Sequence, residues 1–514
     1  MIKGIITAHR DARSPSSRHI LCCKSGGSPM ICLVLTGGTI EENVSLYERN
    51  KPYVDIVELR LDLLHESSRS RASIFPSLVD VPVILTVRRQ IDGGVYEGSE
   101  RSRLALIESS LDGDFAYVDL EDDIKRSAPE QKAREKHIRI IRSKHDFQGM
   151  PSDLYHRIAK ISAKGEIPKL AVTPRSILDL ITLFRVRTEL KDVQEKIILG
   201  MGDYGLPSRI LYKRLGSLWT YCADNPVAPG QISPQQMKEL YRADRVNERT
   251  QIFGVIGNPV LHSFSPRIQN PGFHGINFNA IYLPFLVDSV RSFFILAEML
   301  KISGFSVTVP HKQQVLPYLG KITREVKQIG SCNTVVRAKN LWMGINTDYY
   351  GFIEPLVTEI DNKKIQSALV IGAGGAARSV VWALRNHGCK VTIINRTIEK
   401  AQQLAEETMS SYDSLEHASS YSSVDLIIQT TSVGMIPDRD SDPIPDFTFN
   451  RNQIVYEMVY RPKYTKMLQR ALEAGCRLLF GIDMLVRQGK HQFEAFTGYH
   501  YPKRLEHSLR LEED

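Results

Sequence analysis

The sequence predicts an α/β protein in two parts: an N-terminal (β/α)8 barrel, then a two-lobed unit with a Rossmann nucleotide-binding lobe. Two observations carry this. Eight short β-rich runs recur between residues 31 and 221, mostly with helix-length gaps between them. Farther on, the glycine-rich run GAGGAAR (372–378) follows an apolar strand and opens a helix-like stretch. At 514 residues the chain is long enough for two or three separate cores.

The eight runs are ICLVLT (31–36), VDIVELRL (54–61), PVILTV (82–87), FAYVDL (115–120), IRIIRSK (138–144), PKLAVT (168–173), KIILGM (196–201) and GSLWTY (216–221). Gaps such as 99–111 and 176–190 have helical composition or apolar spacing. Strands alternating with helices imply a parallel sheet, and eight such units imply a barrel. Chemistry in that fold gathers at the C-terminal ends of the strands. Arg88, His145, Lys169, Arg209 and Gln231 are expected at or just after those ends. Glu58 and Arg60 are two apart in VDIVELRLD and so share one side of a strand.

The polar stretch 235–250 reads as a linker or a last barrel helix. A new strand, IFGVIG (252–257), opens the second half, followed by AIYLPF (280–285), GFSVTV (304–309) and NTVV (333–336). SALVIGAGGAAR (367–378) and KVTIINRT (390–397) then begin a nucleotide-binding unit.

A lysine at a barrel mouth can form a Schiff base with a ketone once it is neutral. Free lysine titrates near ~10.4, so it needs desolvation or neighbouring cations. Arg60, Arg88 and Arg209 are expected to supply those cations and to bind a substrate carboxylate. Singly, such charges read as solvated loop groups; gathered at the strand ends of one barrel, they read as a site. His145, one strand before Lys169, is placed as a general acid/base.

The runs VELRLD (57–62), TVRRQIDGG (86–94), SKHDF (143–147), IPKLAV (167–172), GLPSR (205–209) and APGQIS (228–233) resemble type I 3-dehydroquinate dehydratase over about 31–243. The resemblance implies an imine between Lys169 and the substrate's ring ketone. It implies that His145 removes a proton from the adjacent carbon and then protonates the departing hydroxyl. Glu58, Arg60, Arg88, Asp92, Arg209 and Gln231 match its substrate-binding positions. Asp92 stands where that family usually has glutamate, and Val227 replaces a small polar residue.

In the second half Gly372, Gly374 and Ala377 fill G-x-G-x-x-A, with Ala373, Gly375 and Ala376 in the same loop. A helix N-terminus here would face the pyrophosphate. Where an NAD enzyme places an acid on the ribose, this chain has Asn395, Arg396 and Thr397, which suits a 2′-phosphate and favours NADP. VIGNPVLHSFSP (255–266) sets Ser263 and Ser265 on a turn; VTVPHK (307–312) carries Thr308 and Lys312; CNTVV (332–336) and INTDYYG (345–351) supply Asn333 and Asp348. Lys312 and Asp348 can share a proton and deliver it to an alkoxide as hydride arrives at a ketone.

These segments resemble shikimate dehydrogenase over about 251–503. The resemblance implies that Ser263 and Ser265 hold the substrate carboxylate, that Asn333 and Asp348 hold ring hydroxyls, and that Lys312 with Asp348 is the catalytic pair. VYRPKYT (459–465) and GIDMLVRQGKHQF (481–493) match its closing segments, nominating Tyr460 and Gln488, with Thr308, at the substrate and Gly481 at the cofactor. Departures are Gln269-Asn270 for His-Asn, Gln429 for asparagine, Glu457 for aspartate and Tyr349 for glycine, the last expected to tighten the pocket.

The expected domains are an extension (1–30), a barrel (31–243) and a dehydrogenase (251–503). Within the latter, 251–350 with a returning segment 482–503 forms the substrate lobe, and 351–481 the NADP lobe. The product of the first reaction, 3-dehydroshikimate, would be the substrate of the second, with shikimate released. A quinate-preferring dehydrogenase is one alternative; a regulatory protein built from inactivated copies of these domains is another.

The formal charge of +8 is spread along the chain, so nucleic acid is not expected as a partner. No apolar run has the length of a membrane span. The histidines lack metal-ligand spacing, and seven cysteines without C-x-x-C fit a reducing compartment. That compartment is expected to be the cytoplasm, or an organelle if the Arg- and Ser-rich residues 1–30 act as a transit peptide. Oligomeric state is left open.

Overall fold

The computed structural model describes residues 30–124, 127–164, 166–224, 230–506 and 509. The extension read at 1–30, apart from Met30, and the departure at Val227 lie outside the described residues.

Eight parallel strands form the first sheet: β1 (Met30–Leu35), β2 (Ile56–Arg60), β3 (Val83–Thr86), β4 (Tyr117–Glu121), β5 (Arg139–Asp146), β6 (Ile167–Val172), β7 (Ile197–Gly200) and β8 (Trp219–Cys222). They run in the order β7-β6-β5-β4-β3-β2-β1-β8. The remaining gap is bridged by the Leu218 amide donating to the Lys196 carbonyl at 2.8 Å and the Ile198 amide donating to Ser217 Oγ at 3.0 Å. Alternation sorts each strand into two faces. Ile31, Leu33, Val57 and Leu59 pack in a core shared with buried helix residues such as Leu46 and Leu180. Ile56, Ile84, Tyr117, Ile141, Ile167, Ile197 and Trp219 pack together as a second core inside the ring. Two residues beyond several of them, on the same face, the side chains become polar: Glu58, Thr86, Asp119, Ser143 and Lys169. The barrel floor is therefore apolar and its next layer ionic.

Helices Glu100–Ser110, Ala128–Glu135, Leu154–Ser162, Ile177–Glu189 and Gly202–Ile210 follow β3 to β7. The final helix expected in 235–250 shrinks to a π turn, Gln236–Leu240, and a 3-10 turn, Ala243–Arg245. Arg242 between them lies at φ +47°, in the left-handed region, which ends any continuous helix.

The second sheet contains β9 (Gln251–Gly257), β10 (Ala280–Leu286), β11 (Ile302–Val307), β12 (Lys321–Ile322), β13 (Thr334–Ala338) and β14 (Leu341–Ile345), ordered β10-β9-β11-β13-β14-β12. The third is wholly parallel: β15 (Ser367–Ile371), β16 (Lys390–Asn395), β17 (Ser411–Ser414), β18 (Leu426–Gln429), β19 (Ile454–Glu457) and β20 (Arg477–Leu479). Its order, β17-β16-β15-β18-β19-β20, is that of a doubly wound nucleotide-binding sheet. Helix Gly481–Thr497 then returns to the second sheet's lobe, where Gln269 Nε2 donates to the Gly489 carbonyl at 2.8 Å.

Barrel and second lobe touch directly. Helix Gly202–Ile210 packs on β10, and helix Ile177–Glu189 on helix Val290–Leu300. Asp288 Oδ1 accepts from the Ile177 amide at 2.9 Å, capping a barrel helix from outside the barrel.

Candidate active sites

Lys169 is the third residue of β6, not its end, and its side chain points into the ionic layer with 4% exposure. Its Nζ lies 2.8 Å from Asp119 Oδ2, 3.0 Å from Glu58 Oε1 and 4.3 Å from the centre of the Tyr221 ring. The expected lowering of its pKa is overturned. Burial does oppose the ammonium, but Asp119 and Glu58 outweigh it, and Arg88 opposes them only weakly, so the pKa is raised. The free site thus holds a paired lysinium.

Arg88 follows β3 and donates to Asp119 Oδ2 (2.7 Å) and Ser143 Oγ (2.8 Å), while Arg60 makes a two-pronged pair with Asp62 (2.8 and 2.6 Å). Arg209 is not at a strand end; it is buried on helix Gly202–Ile210. Asp92 Oδ2 receives Arg89 Nε at 2.8 Å. His145 sits near the end of β5. Burial, then Arg88 and Lys169, push its pKa well below the usual imidazole value, so it is neutral and can accept a proton at neutral pH. Lys169, His145 and all six nominated substrate positions line one cavity of about 550 Å³, counted out to its solvent opening.

Sequence reasoning missed Asp119. Its signal was an acid inside the otherwise apolar run FAYVDL, two residues from Tyr117 and so on the same face.

In the second site Lys312 Nζ meets Asp348 Oδ2 at 2.5 Å. Asp348 begins helix Asp348–Ile353, where a carboxylate suits the helix dipole. Asn333 Nδ2 faces Asp348 Oδ1 (2.8 Å), Gln488 Oε1 (2.9 Å) and Thr347 Oγ1 (3.0 Å), and its Oδ1 accepts the Thr347 amide at 2.7 Å. Every polar atom of that amide is engaged, so its orientation is fixed. Ser263 Oγ donates to Ser265 Oγ at 3.1 Å. Tyr460, just after β19, packs on Phe264 between those serines (centroids 5.6 Å apart). Thr308 follows β11, its amide donating to the Ile256 carbonyl at 2.9 Å. Tyr349, expected in the pocket, instead packs edge-on against Trp382 (4.9 Å), its hydroxyl 3.4 Å from His387 Nε2. It braces the helix Gly375–Asn386.

The glycine-rich loop fits a dinucleotide. Gly372 has φ +111°, and a Cβ there would stand 2.5 Å from Thr430 Oγ1. A Cβ on Gly374, at the N-cap of helix Gly375–Asn386, would project into open space, the concavity a pyrophosphate needs. Ala373 and Ala376 complete the loop, and Gly375 backs onto the aliphatic chain of Lys312, so the loop adjoins the Lys312–Asp348 pair. Asn395 Nδ2 is tied to the Thr397 carbonyl at 2.8 Å; Arg396 between them is exposed. A Cβ on Gly481 would stand 2.5 Å from the Met458 carbonyl oxygen, so helix Gly481–Thr497 approaches the end of β19 as only glycine permits.

A barrel with a buried lysine and neutral histidine, joined to a two-lobed dehydrogenase with a lysine–aspartate pair, defines a two-site enzyme. Family models agree: type I 3-dehydroquinase matches residues 31–248, the shikimate dehydrogenase substrate binding domain 255–335, and shikimate / quinate 5-dehydrogenase 356–436. The chain is 32% identical over 507 residues to the Arabidopsis thaliana chloroplastic bifunctional 3-dehydroquinate dehydratase/shikimate dehydrogenase, covering 93% of this chain and 83% of that one. It belongs to that bifunctional family. Its second half is 40% identical over 262 residues to a Bacillus cereus shikimate dehydrogenase (NADP(+)), covering 48% of this chain and 93% of that one. The solved shikimate dehydrogenase of Aquifex aeolicus is 36% identical, covers 52% of this chain and 100% of its own, and gives a TM-score of 0.48. No described helix is long and apolar enough to cross a membrane.

Proposed function

We propose that the chain dehydrates 3-dehydroquinate to 3-dehydroshikimate in its barrel (31–243) and reduces that product to shikimate in its second part (251–503). In the barrel the Lys169 ammonium first releases a proton, and the neutral Nζ adds to the ring ketone. The ketone oxygen leaves as water carrying the two protons the nitrogen has lost, giving an iminium that water hydrolyses after the dehydration. His145, neutral in the free site, takes the proton from the adjacent carbon and returns it to the departing hydroxyl. Glu58, Arg60, Arg88, Asp92, Arg209 and Gln231, gathered on the same cavity, hold the substrate's hydroxyls and carboxylate.

In the second site Ser263 and Ser265 take the carboxylate, while Asn333, Thr308, Tyr460 and Gln488 orient the ring. Lys312, paired with Asp348, hands a proton to the carbonyl oxygen. Residues Gly372 to Ala376, Asn395 to Thr397 and Gly481 would hold NADPH, which supplies a hydride when bound. The substrate lobe comprises 251–350 and the returning segment 482–503, and the NADP lobe 351–481. The cytoplasm is the proposed compartment, with import directed by residues 1–30 the alternative. All five described cysteines are free and buried, which suits a reducing environment.

The observation that carries this reading is the convergence of Lys169 and His145 on one cavity, in a chain whose second half separately pairs Lys312 with Asp348. Purified protein given 3-dehydroquinate and NADPH should consume the NADPH and yield shikimate. NADPH oxidation with added 3-dehydroshikimate but none with 3-dehydroquinate would remove the first half of the proposal; the reverse failure would remove the second.

A further inference from the structure

Of the three groups around Lys169 Nζ, Glu58 and Tyr221 line the cavity and Asp119 does not. Its side chain has no solvent exposure and approaches Nζ from the ionic layer inside the ring, behind the residues that line the cavity. Both its oxygens are committed: Oδ2 to Lys169 Nζ (2.8 Å) and Arg88 Nη2 (2.7 Å), Oδ1 to the Ser143 hydroxyl. The strands enforce this grouping, since Ser143 is in register with Lys169, and Asp119 with Thr86.

We infer that Asp119 is a positioning residue for the dehydration, fixing Nζ toward the cavity and remaining its counter-charge once the imine has formed. This rests on the Schiff-base reading above. In imine formation the ammonium and ketone become an iminium and one water: the C–N bond forms, both bonds of the carbonyl oxygen to carbon break, and that oxygen leaves with two protons from nitrogen. One positive charge stands on the same nitrogen before and after. Glu58 can match it only while no substrate hydroxyl competes for its oxygens, because it faces the cavity. Asp119 has no such competitor. When His145 removes the α-proton, the electron pair neutralises the nitrogen as an enamine; loss of the hydroxyl restores the iminium beside the same carboxylate.

The test uses the full chain, so that dehydrogenase turnover reports folding. Asp119→Asn keeps the shape and removes the charge. Its dehydratase kcat should fall on the order of 100-fold, with KM within about threefold. The pH above which borohydride traps a 3-dehydroquinate adduct should move down, because a neighbour favouring the ammonium is gone. A purely structural role would leave that limb in place. Ser143→Ala keeps the carboxylate but loses one of its anchors, and should show a smaller fall in kcat with the limb unmoved. Absence of any adduct in the unaltered protein defeats the Schiff-base reading itself. An adduct with unchanged kcat and pH limb in Asp119→Asn overturns the inference alone. Should that variant also lose dehydrogenase activity, Ser143→Ala decides: reduced kcat at constant KM supports the role, and full kcat overturns it.

Discussion

Replacing Glu457 with glutamine should remove a large part of the pH dependence of stability in the nucleotide-binding lobe. Glu457 ends β19, is fully buried, and accepts from the Val459 amide at 3.0 Å and the Thr465 hydroxyl at 2.9 Å. Burial outweighs these bonds and pushes the carboxyl from 4.5 up to about 8. Between those values the folded chain keeps a proton that the unfolded chain releases. The stabilisation is therefore fully present below 4.5 and lost as pH rises through about 8. At about 1.4 kcal/mol per pH unit this reaches roughly 5 kcal/mol, an upper bound because water and local rearrangement soften the penalty. For a lobe of this size the corresponding fall in Tm is on the order of 10 °C. Calorimetry at about pH 5, 7 and 9 should show the decline in the unaltered protein and a much flatter profile in Glu457→Gln. Because the same carboxyl anchors the segment bearing Tyr460, KM for shikimate should rise with pH only where the glutamate is present. Equal slopes in both proteins would refute the argument.

Two further outcomes follow from the sites. Since burial, Arg88 and Lys169 hold His145 well below 6.5, the acid limb of dehydratase kcat/KM should lie below that pH; a limb at or above it removes the neutral-base assignment. Arg396→Leu should raise KM for NADP about 10- to 100-fold, the worth of one charge-assisted contact, while changing NAD use far less; an equal loss for both cofactors would contradict the role of Arg396.

All eight barrel strands were legible because a sheet buried on both faces writes itself as apolar runs at regular spacing. β12, β14, β17, β18, β19 and β20 were not singled out. β12 has only two residues and β17 reads SYDS, so neither carries a periodicity. LIIQ and IVYE, four residues each, are too short for spacing to separate strand from helix. The barrel residues nominated from motifs and resemblance share one cavity, but the electrostatics around Lys169 were misjudged. The arginines near Lys169 are visible in the chain; that Asp119 stands between Lys169 and Arg88 is a property of barrel closure, bringing together residues 31 and 50 positions apart. Likewise Gln429 and Glu457, two separate departures in sequence, are register partners on neighbouring strands. A longer amide beside a longer acid is a paired change that only the sheet reveals.

The cap that Asp288 places on helix Ile177–Glu189 ties the histories of the two halves together. Cutting the gene near residue 250 would strand the Ile177 amide and lay bare the faces of two barrel helices that now rest on the neighbouring lobe. A liberated barrel would thus begin life with a sticky flank and a frayed helix start, close to the strand that bears Lys169. Natural selection, acting on such a molecule, cannot easily undo the merger by simple excision; each half would first have to acquire a new polar surface of its own.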